Sequence, residues 1–199
     1  QKQLQAKIAE SKKLAEETRN NSENTTSSVD QAVPDKYELS KAQGNKAQKL
    51  ELTAFGDSVM LDAATDLQEL YPKVVVDGDV GRQLYASVPY IEKLKEQDLL
   101  KDTVLIGLGT NGSFSEAQFD SVMDAIGDRK VYWVNVRVPT KRWQNDVNAM
   151  LEQMTKKYDN MTLIDWYSYS NDHRDCFYDD QLHPNPEGMT HYMHLVSEA

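Results

Sequence analysis

Among the 199 residues there is a single cysteine, Cys176, so no intrachain disulfide can form. That is compatible with a cytosolic protein, and equally with the surface of a bacterium whose exported proteins do without disulfides. No apolar run reaches the roughly 18 residues that mark a membrane-spanning helix, and the first residues lack the pattern of a signal peptide. The chain starts at Gln1 rather than at Met, as expected of a fragment or processed product, so upstream targeting or membrane segments stay open. Excess positive charge is also missing: the formal net charge is -10. Residues 1–50 carry nine Lys/Arg against seven Asp/Glu, which leaves 13 against 25 for residues 51–199. An acidic domain of this kind repels phosphate backbones and anionic lipid, which argues against a nucleic-acid partner. The length suffices for one domain with a buried core plus an appendage.

Two regions differ in pattern. Residues 1–19 are rich in Lys, Glu, Gln and Ala, good helix formers, but Leu4, Ile8 and Leu14 make only a thin apolar stripe, so a solvated helix or stalk is expected. Residues 20–48, with Asn20-Asn21-Ser22 and then Pro34 and Gly44, have the composition of a linker, and the glycosylation-like triplet Asn24-Thr25-Thr26 reads as chance. The expected division is therefore a helical, low-complexity tether over 1–48 and a catalytic domain over 49–199. From Lys49 onward, strand-like runs at 50–55, 73–76, 103–108, 130–138 and 161–166 alternate with helical patterns at 58–70, 83–97, 115–126, 143–157 and 186–197. Strands apolar on both faces and separated by helices predict an α/β fold with a parallel sheet of about five strands, covered on both sides.

In such sheets ligands bind beyond the carboxyl ends of the strands. The residues expected there are Gly56-Asp57-Ser58, Asp77-Gly78-Asp79-Val80-Gly81-Arg82-Gln83, Gly109-Thr110-Asn111-Gly112, Arg137-Val138-Pro139 with Trp143, and Asp180-Gln181-Leu182-His183. Taken alone, Ser58 reads as a helix N-cap. Serine chemistry needs a base oriented by a third group. Asp180 and His183, three apart, have the spacing for a carboxylate to hold Nδ1 of the imidazole while Nε2 turns to Ser58. Asp179 is a weaker alternative because it lacks that spacing. The G-x-S-x-G elbow of α/β-hydrolases is absent around Ser58, so another serine-hydrolase architecture is required. Candidate oxyanion donors are the N–H groups of Ser58 and Gly81 and the side-chain amide of Asn111.

Taken together, these blocks resemble those of the SGNH (GDSL-like) esterases and acyltransferases, over nearly all of residues 50–199. The similarity is closer to the extracellular domain of the peptidoglycan O-acetyltransferases of Gram-positive bacteria, through Gly56-Asp57-Ser58-Val59-Met60, Val80-Gly81-Arg82-Gln83, Gly109-Thr110-Asn111-Gly112 and Arg137-Val138-Pro139. Hydrolytic relatives usually read Gly-x-Asn-Asp in the third block; Gly112 replaces that Asp. The resemblance implies a three-layer α/β/α fold and acetyl transfer through a Ser58 acyl-enzyme to the C6 hydroxyl of N-acetylmuramic acid. It also implies no cofactor, an acetyl donor delivered by an upstream membrane domain, and a place on the extracellular face of the membrane. A carbohydrate acetylesterase is the alternative within the same chemistry, and a glycan-binding module without catalysis is the alternative outside it.

Other residues carry paired readings. Asp57 is expected to tie down its turn through backbone N–H groups. Trp143 either stacks on a sugar or packs at the surface, and Arg137 either orients an acceptor or pairs with an acidic neighbour. Trp133 and Trp166 fall in strands and read as core. His191 and His194 lie i, i+3 on the last helix, but no cysteine or third histidine completes a set at zinc-like spacing, so no metal site is expected. His173 reads as solvated and Cys176 as inert.

Overall fold

The computed structural model describes residues 2–20 and 32–199. The Asn24-Thr25-Thr26 triplet lies outside the described residues. Five parallel strands form the sheet: β1 (Leu52–Gly56), β2 (Val74–Gly78), β3 (Thr103–Gly107), β4 (Lys130–Val134) and β5 (Met161–Ile164), in the order β2-β1-β3-β4-β5. All four pairings are parallel, and in register Gly56 lies between Gly78 and Gly107. The strands alternate their buried side chains between two cores. Leu52, Ala54 and Leu105 face one helical layer, while Phe55, Val104 and Ile106 face the other. This is a three-layer α/β/α architecture.

On the first face lie α1 (Lys2–Asn20), α2 (Ala32–Lys36), α3 (Lys41–Lys49), α4 (Ser58–Asp62), α5 (Ala64–Leu70) and, in the last part of the chain, a long helix over Pro186–Glu198. On the second lie α6 (Val88–Glu96), α7 (Glu116–Ile126) and α8 (Gln144–Lys157). A short α9 (Trp166–Ser170) precedes the last helix, which is α10. Trp133 is wholly buried in β4, as expected. Trp166 is buried too, but it opens α9 rather than lying in a strand.

The N-terminal region differs from the expected stalk. Helix α1 packs along β2, which would otherwise be an open sheet edge. Thr18 Oγ1 accepts from Val76 N–H (2.9 Å) and donates to Ala15 O (2.7 Å), while Arg19 donates to Val76 O (2.7 Å). Ser11, Ala15 and Thr18 are buried. A thin stripe suffices because the contact is made by small and polar residues that satisfy the edge backbone rather than by a broad apolar face. Residues 32–49 are likewise packed: Tyr37 is fully buried, donates to Asp66 (2.9 Å), and offers its carbonyl to His194 (2.9 Å). The linker reading of 20–48 is thus corrected for 32–48, and the solvated-helix reading of 1–19 for 2–19.

The chain enters the sheet at β1, moves to β2 on one side, and returns to β3 on the other. The connections therefore diverge between β1 and β3, and a crevice opens at the carboxyl ends of those two strands.

Candidate active site

Asp57, Ser58 and the Gly109-Thr110-Asn111 loop flank that crevice. Asp57, rather than Ser58, caps α4: its Oδ1 accepts from Val59 N–H at 3.0 Å. This places Ser58 at the first helical position, where its N–H has no intrahelical partner and the helix dipole favours negative charge. Ser58 is buried, 6% exposed.

His183 comes from the loop before α10 and is also buried. Its Nε2 lies 2.8 Å from Ser58 Oγ, and its Nδ1 lies 2.6 Å from Asp180 Oδ2. An ionised carboxylate only accepts, so Nδ1 carries the proton and Nε2 is left to accept from the Ser58 hydroxyl. Asp180 Oδ1 accepts in addition from the N–H groups of Leu182 (2.9 Å) and His183 (3.0 Å). Burial pushes the Asp180 carboxyl up, but the His183 ring and these two N–H groups outweigh it and hold the group below the usual carboxylate range. The turn is tight enough to put Gln181 at φ +57, a left-handed conformation that costs a residue with a Cβ about 1–2 kcal/mol. Asn185 caps α10 through Gly188 N–H, and Pro186 stands at its first turn, so the base is held at a helix entrance as the residue pattern suggested. The relay thus forms, and the carboxylate on His183 Nδ1 is that of Asp180, not of Asp179.

Gly81 lies at φ +74 on the β2 side, and a Cβ there would meet nothing within 4 Å. The glycine is required by backbone conformation, not by crowding. Asn111 is tied to the same turn twice: Gln83 donates its side-chain amide to Asn111 O (2.7 Å), and Asn111 Nδ2 donates to Arg82 O (3.2 Å), leaving its second N–H without a partner among the described residues. Arg82 in turn donates to Gly56 O (3.1 Å) and Asp77 O (3.0 Å) and pairs with the Asp77 carboxylate (2.9 Å), clamping the ends of β1 and β2. Gly112 lies against Gln83, and a Cβ on it would come within 2.8 Å of Gln83 Oε1. The glycine in place of the hydrolytic Asp therefore makes room for the glutamine that fixes Asn111. Arg82 and Gln83 were part of a recognised block, but only the folded chain shows what they hold.

The two candidate substrate residues act on the scaffold. Among the described residues Arg137 meets no acidic partner; its guanidinium bonds Ser170, the Tyr167 carbonyl (2.8 Å) and Asn171, anchoring α9. Trp143 donates its ring N–H to Thr110 O (3.0 Å), supporting the Asn111 loop from the α8 side. A cleft of about 810 Å³ lies beside the relay rather than on it. It runs between α1 and α6 and shares Arg82 and Asp79 with the active edge.

Electrostatics beneath Ser58 were not legible from spacing. Asp57 is fully buried, and burial pushes its carboxyl up to about 6, against the pull of Val59 N–H, Thr110, the His183 ring and the Arg82 guanidinium. Asp62, one turn along α4, is also buried, and its ion-pair partner is Lys7 of α1 at 2.9 Å.

The chain has relatives in sequence and neighbours in fold. The chain is 35% identical over 149 residues to the peptidoglycan O-acetyltransferase OatA of Listeria monocytogenes, a match covering 75% of this chain and 24% of that protein. In sequence the chain is similar to named and putative peptidoglycan O-acetyltransferases. Its fold matches the C-terminal catalytic domain of OatA from Streptococcus pneumoniae, solved with a methylsulfonyl adduct, at TM-score 0.63 and 21% identity, covering 74% of this chain and 88% of that one. A GDSL-like lipase from Bacteroides thetaiotaomicron shares the SGNH fold at TM-score 0.58 and 16% identity, covering 83% and 97%. No protein-family model matches the chain. The chain spans about a quarter of the length of the curated relatives it matches.

Proposed function

We propose that the chain is the acyl-transferring domain of a peptidoglycan O-acetyltransferase, in which Ser58 takes an acetyl group and passes it to the C6 hydroxyl of N-acetylmuramic acid in a glycan strand. The observation that carries this reading is the Asp180-His183-Ser58 relay, found in a chain related to a named peptidoglycan O-acetyltransferase. In the first half-reaction Ser58 Oγ attacks the acetyl carbonyl and gives its proton to His183 Nε2. The tetrahedral intermediate collapses, the donor leaves with that proton, and an acetyl-Ser58 ester remains. In the second half the sugar hydroxyl attacks the ester and passes its proton to Nε2. Collapse releases the acetylated glycan and returns the proton to Ser58. Asp180 keeps the imidazole in the required tautomer throughout.

The oxyanion of each intermediate is assigned to the N–H groups of Ser58 and Gly81 and to the free N–H of Asn111. Each removed donor is expected to cost about 10²–10³ in kcat. The acetyl donor is assigned to an upstream membrane domain, with this domain on the extracellular face and residues 1–20 leading into it.

Intact-mass measurement on the wild type and Ser58→Ala, with an activated acetyl ester and with or without muroglycan, tests the reading. An adduct on Ser58 that moves to glycan faster than to water supports transfer. Equal loss to water with every acceptor points to an acetylesterase. Turnover that survives Ser58→Ala removes the assignment of the nucleophile, and no adduct with no turnover leaves a glycan-binding module.

A further inference from the structure

We infer that His173, Cys176 and His191 form a binding site for one soft or borderline transition-metal ion, Zn²⁺ or Cu⁺, that ties the loop carrying Asp180 and His183 to α10. The sequence hides this set because its members lie on a loop, a single 3₁₀ turn (Arg174–Cys176) and a helix. In the fold their ligand atoms all lie within 4.8 Å of one another. Metal–nitrogen and metal–sulfur bonds of about 2.0–2.3 Å put tetrahedral ligand atoms roughly 3.5 Å apart, so closure needs a contraction of about 1 Å. The two half-buried imidazoles can supply it by side-chain rotation. Their rings are stacked at 4.3 Å, and turning them out of the stack brings one nitrogen of each toward the sulfur.

Cys176 is the fixed member. Its carbonyl accepts from Asn185 N–H (3.0 Å), and its backbone presses on Gly188, where a Cβ would come within 1.9 Å of Cys176 O. His191 is already oriented: Tyr169 Oη lies 3.0 Å from its Nδ1, the kind of outer hydrogen bond that fixes the tautomer of a metal-bound imidazole and leaves Nε2 to ligate. Among the described residues, nothing hydrogen-bonds the His173 ring. His194, the other histidine of α10, is engaged elsewhere, by Tyr37 O and Glu198. Two neutral imidazoles and one thiolate complete three positions, with the fourth open to water. Binding releases the Cys176 thiol proton to solvent, and the nearby Asp175 and Glu187 offset the remaining positive charge. The site holds none of Ser58, Asp180 or His183, so it stands apart from the acyl-transfer reading.

Titration of the protein with Co²⁺, a coloured substitute for Zn²⁺, is the test. The expected result is a thiolate-to-cobalt charge-transfer band that saturates at one ion per chain and is displaced by Zn²⁺. Cys176→Ser abolishes the band, His173→Ala weakens binding at least tenfold, Tyr169→Phe weakens it about tenfold, and His194→Ala leaves it unchanged. Thermal melts check that each variant is folded; because His173 is half-buried on a loop, its variant keeps the test decisive if Cys176→Ser is not. No thiolate band at saturating Co²⁺, or binding that persists in folded Cys176→Ser or His173→Ala, overturns the site.

Discussion

Asp57 adjoins Ser58 in the chain and is at once a helix cap and a buried acid. Its folded-state value of about 6 lies above the ordinary 3.8, so the native state holds the proton more tightly than the unfolded chain does. The linked stabilisation is complete below pH 3.8 and is lost as the pH rises through about 6, an effect on the order of 3 kcal/mol for a shift of this size. Asp57→Asn keeps an oxygen to cap Val59 and removes the charge. Urea unfolding of this variant is expected to lose that decline, so that it gains about 1–3 kcal/mol on the wild type at pH 8 and little at pH 4. At the relay itself, Asp180→Asn preserves the acceptor for Leu182 and His183 but favours the wrong imidazole tautomer. Its kcat should fall about 10³–10⁴-fold while the melting temperature stays near that of the wild type. Gly112→Asp tests the neighbouring loop. It displaces Gln83 from Asn111 O, costing about 1 kcal/mol of stability. The acetylation rate should drop with it, and a Gln83→Ala variant with a wild-type rate would break that link.

At the scale of elements, α1 closes the sheet. A strand edge with free N–H and C=O groups invites pairing with other chains, and here Thr18 and Arg19 take up both groups of Val76. The same helix supplies the cation for Asp62, whose burial raises its carboxyl while Lys7 pulls it back down. Lys7→Met keeps the aliphatic stem but leaves a buried carboxylate unpaired, a loss expected at about 3–5 kcal/mol near neutral pH and less in acid, where Asp62 is neutral. Adding Asp62→Asn should recover most of that loss. A double variant as unstable as Lys7→Met alone would mean that the helix contributes by packing only.

Across the whole molecule, the bonds of α1 to β2 predict that helix and sheet unfold as one body. Hydrogen exchange at Val76 N–H should be as slow as at central β3 amides in the full chain and fast after removal of residues 1–20. The sequence by itself determined the alternation of strands and helices, because strands buried on both faces must be apolar throughout and amphipathic helices must repeat near every 3.6 residues. It also determined the blocks at the strand ends, because a serine at a strand-to-helix turn and an Asp-x-x-His are local patterns. Boundaries moved by only a few residues, as at β4, where the predicted run to 138 ends at Val134 and continues as buried loop. What composition could not show is which polar residues meet over long separations. The docking of α1 rests on Thr18, Arg19 and Lys7, each an ordinary surface residue in sequence. The tertiary structure alone decided that they would satisfy Val76 and Asp62, that Gln83 would brace Asn111, and that His173, Cys176 and His191 would converge. Hydrogen-bond and ligand geometry depends on where three-dimensional neighbours end up, whereas strand and helix periodicity depends only on which face of the backbone each side chain takes.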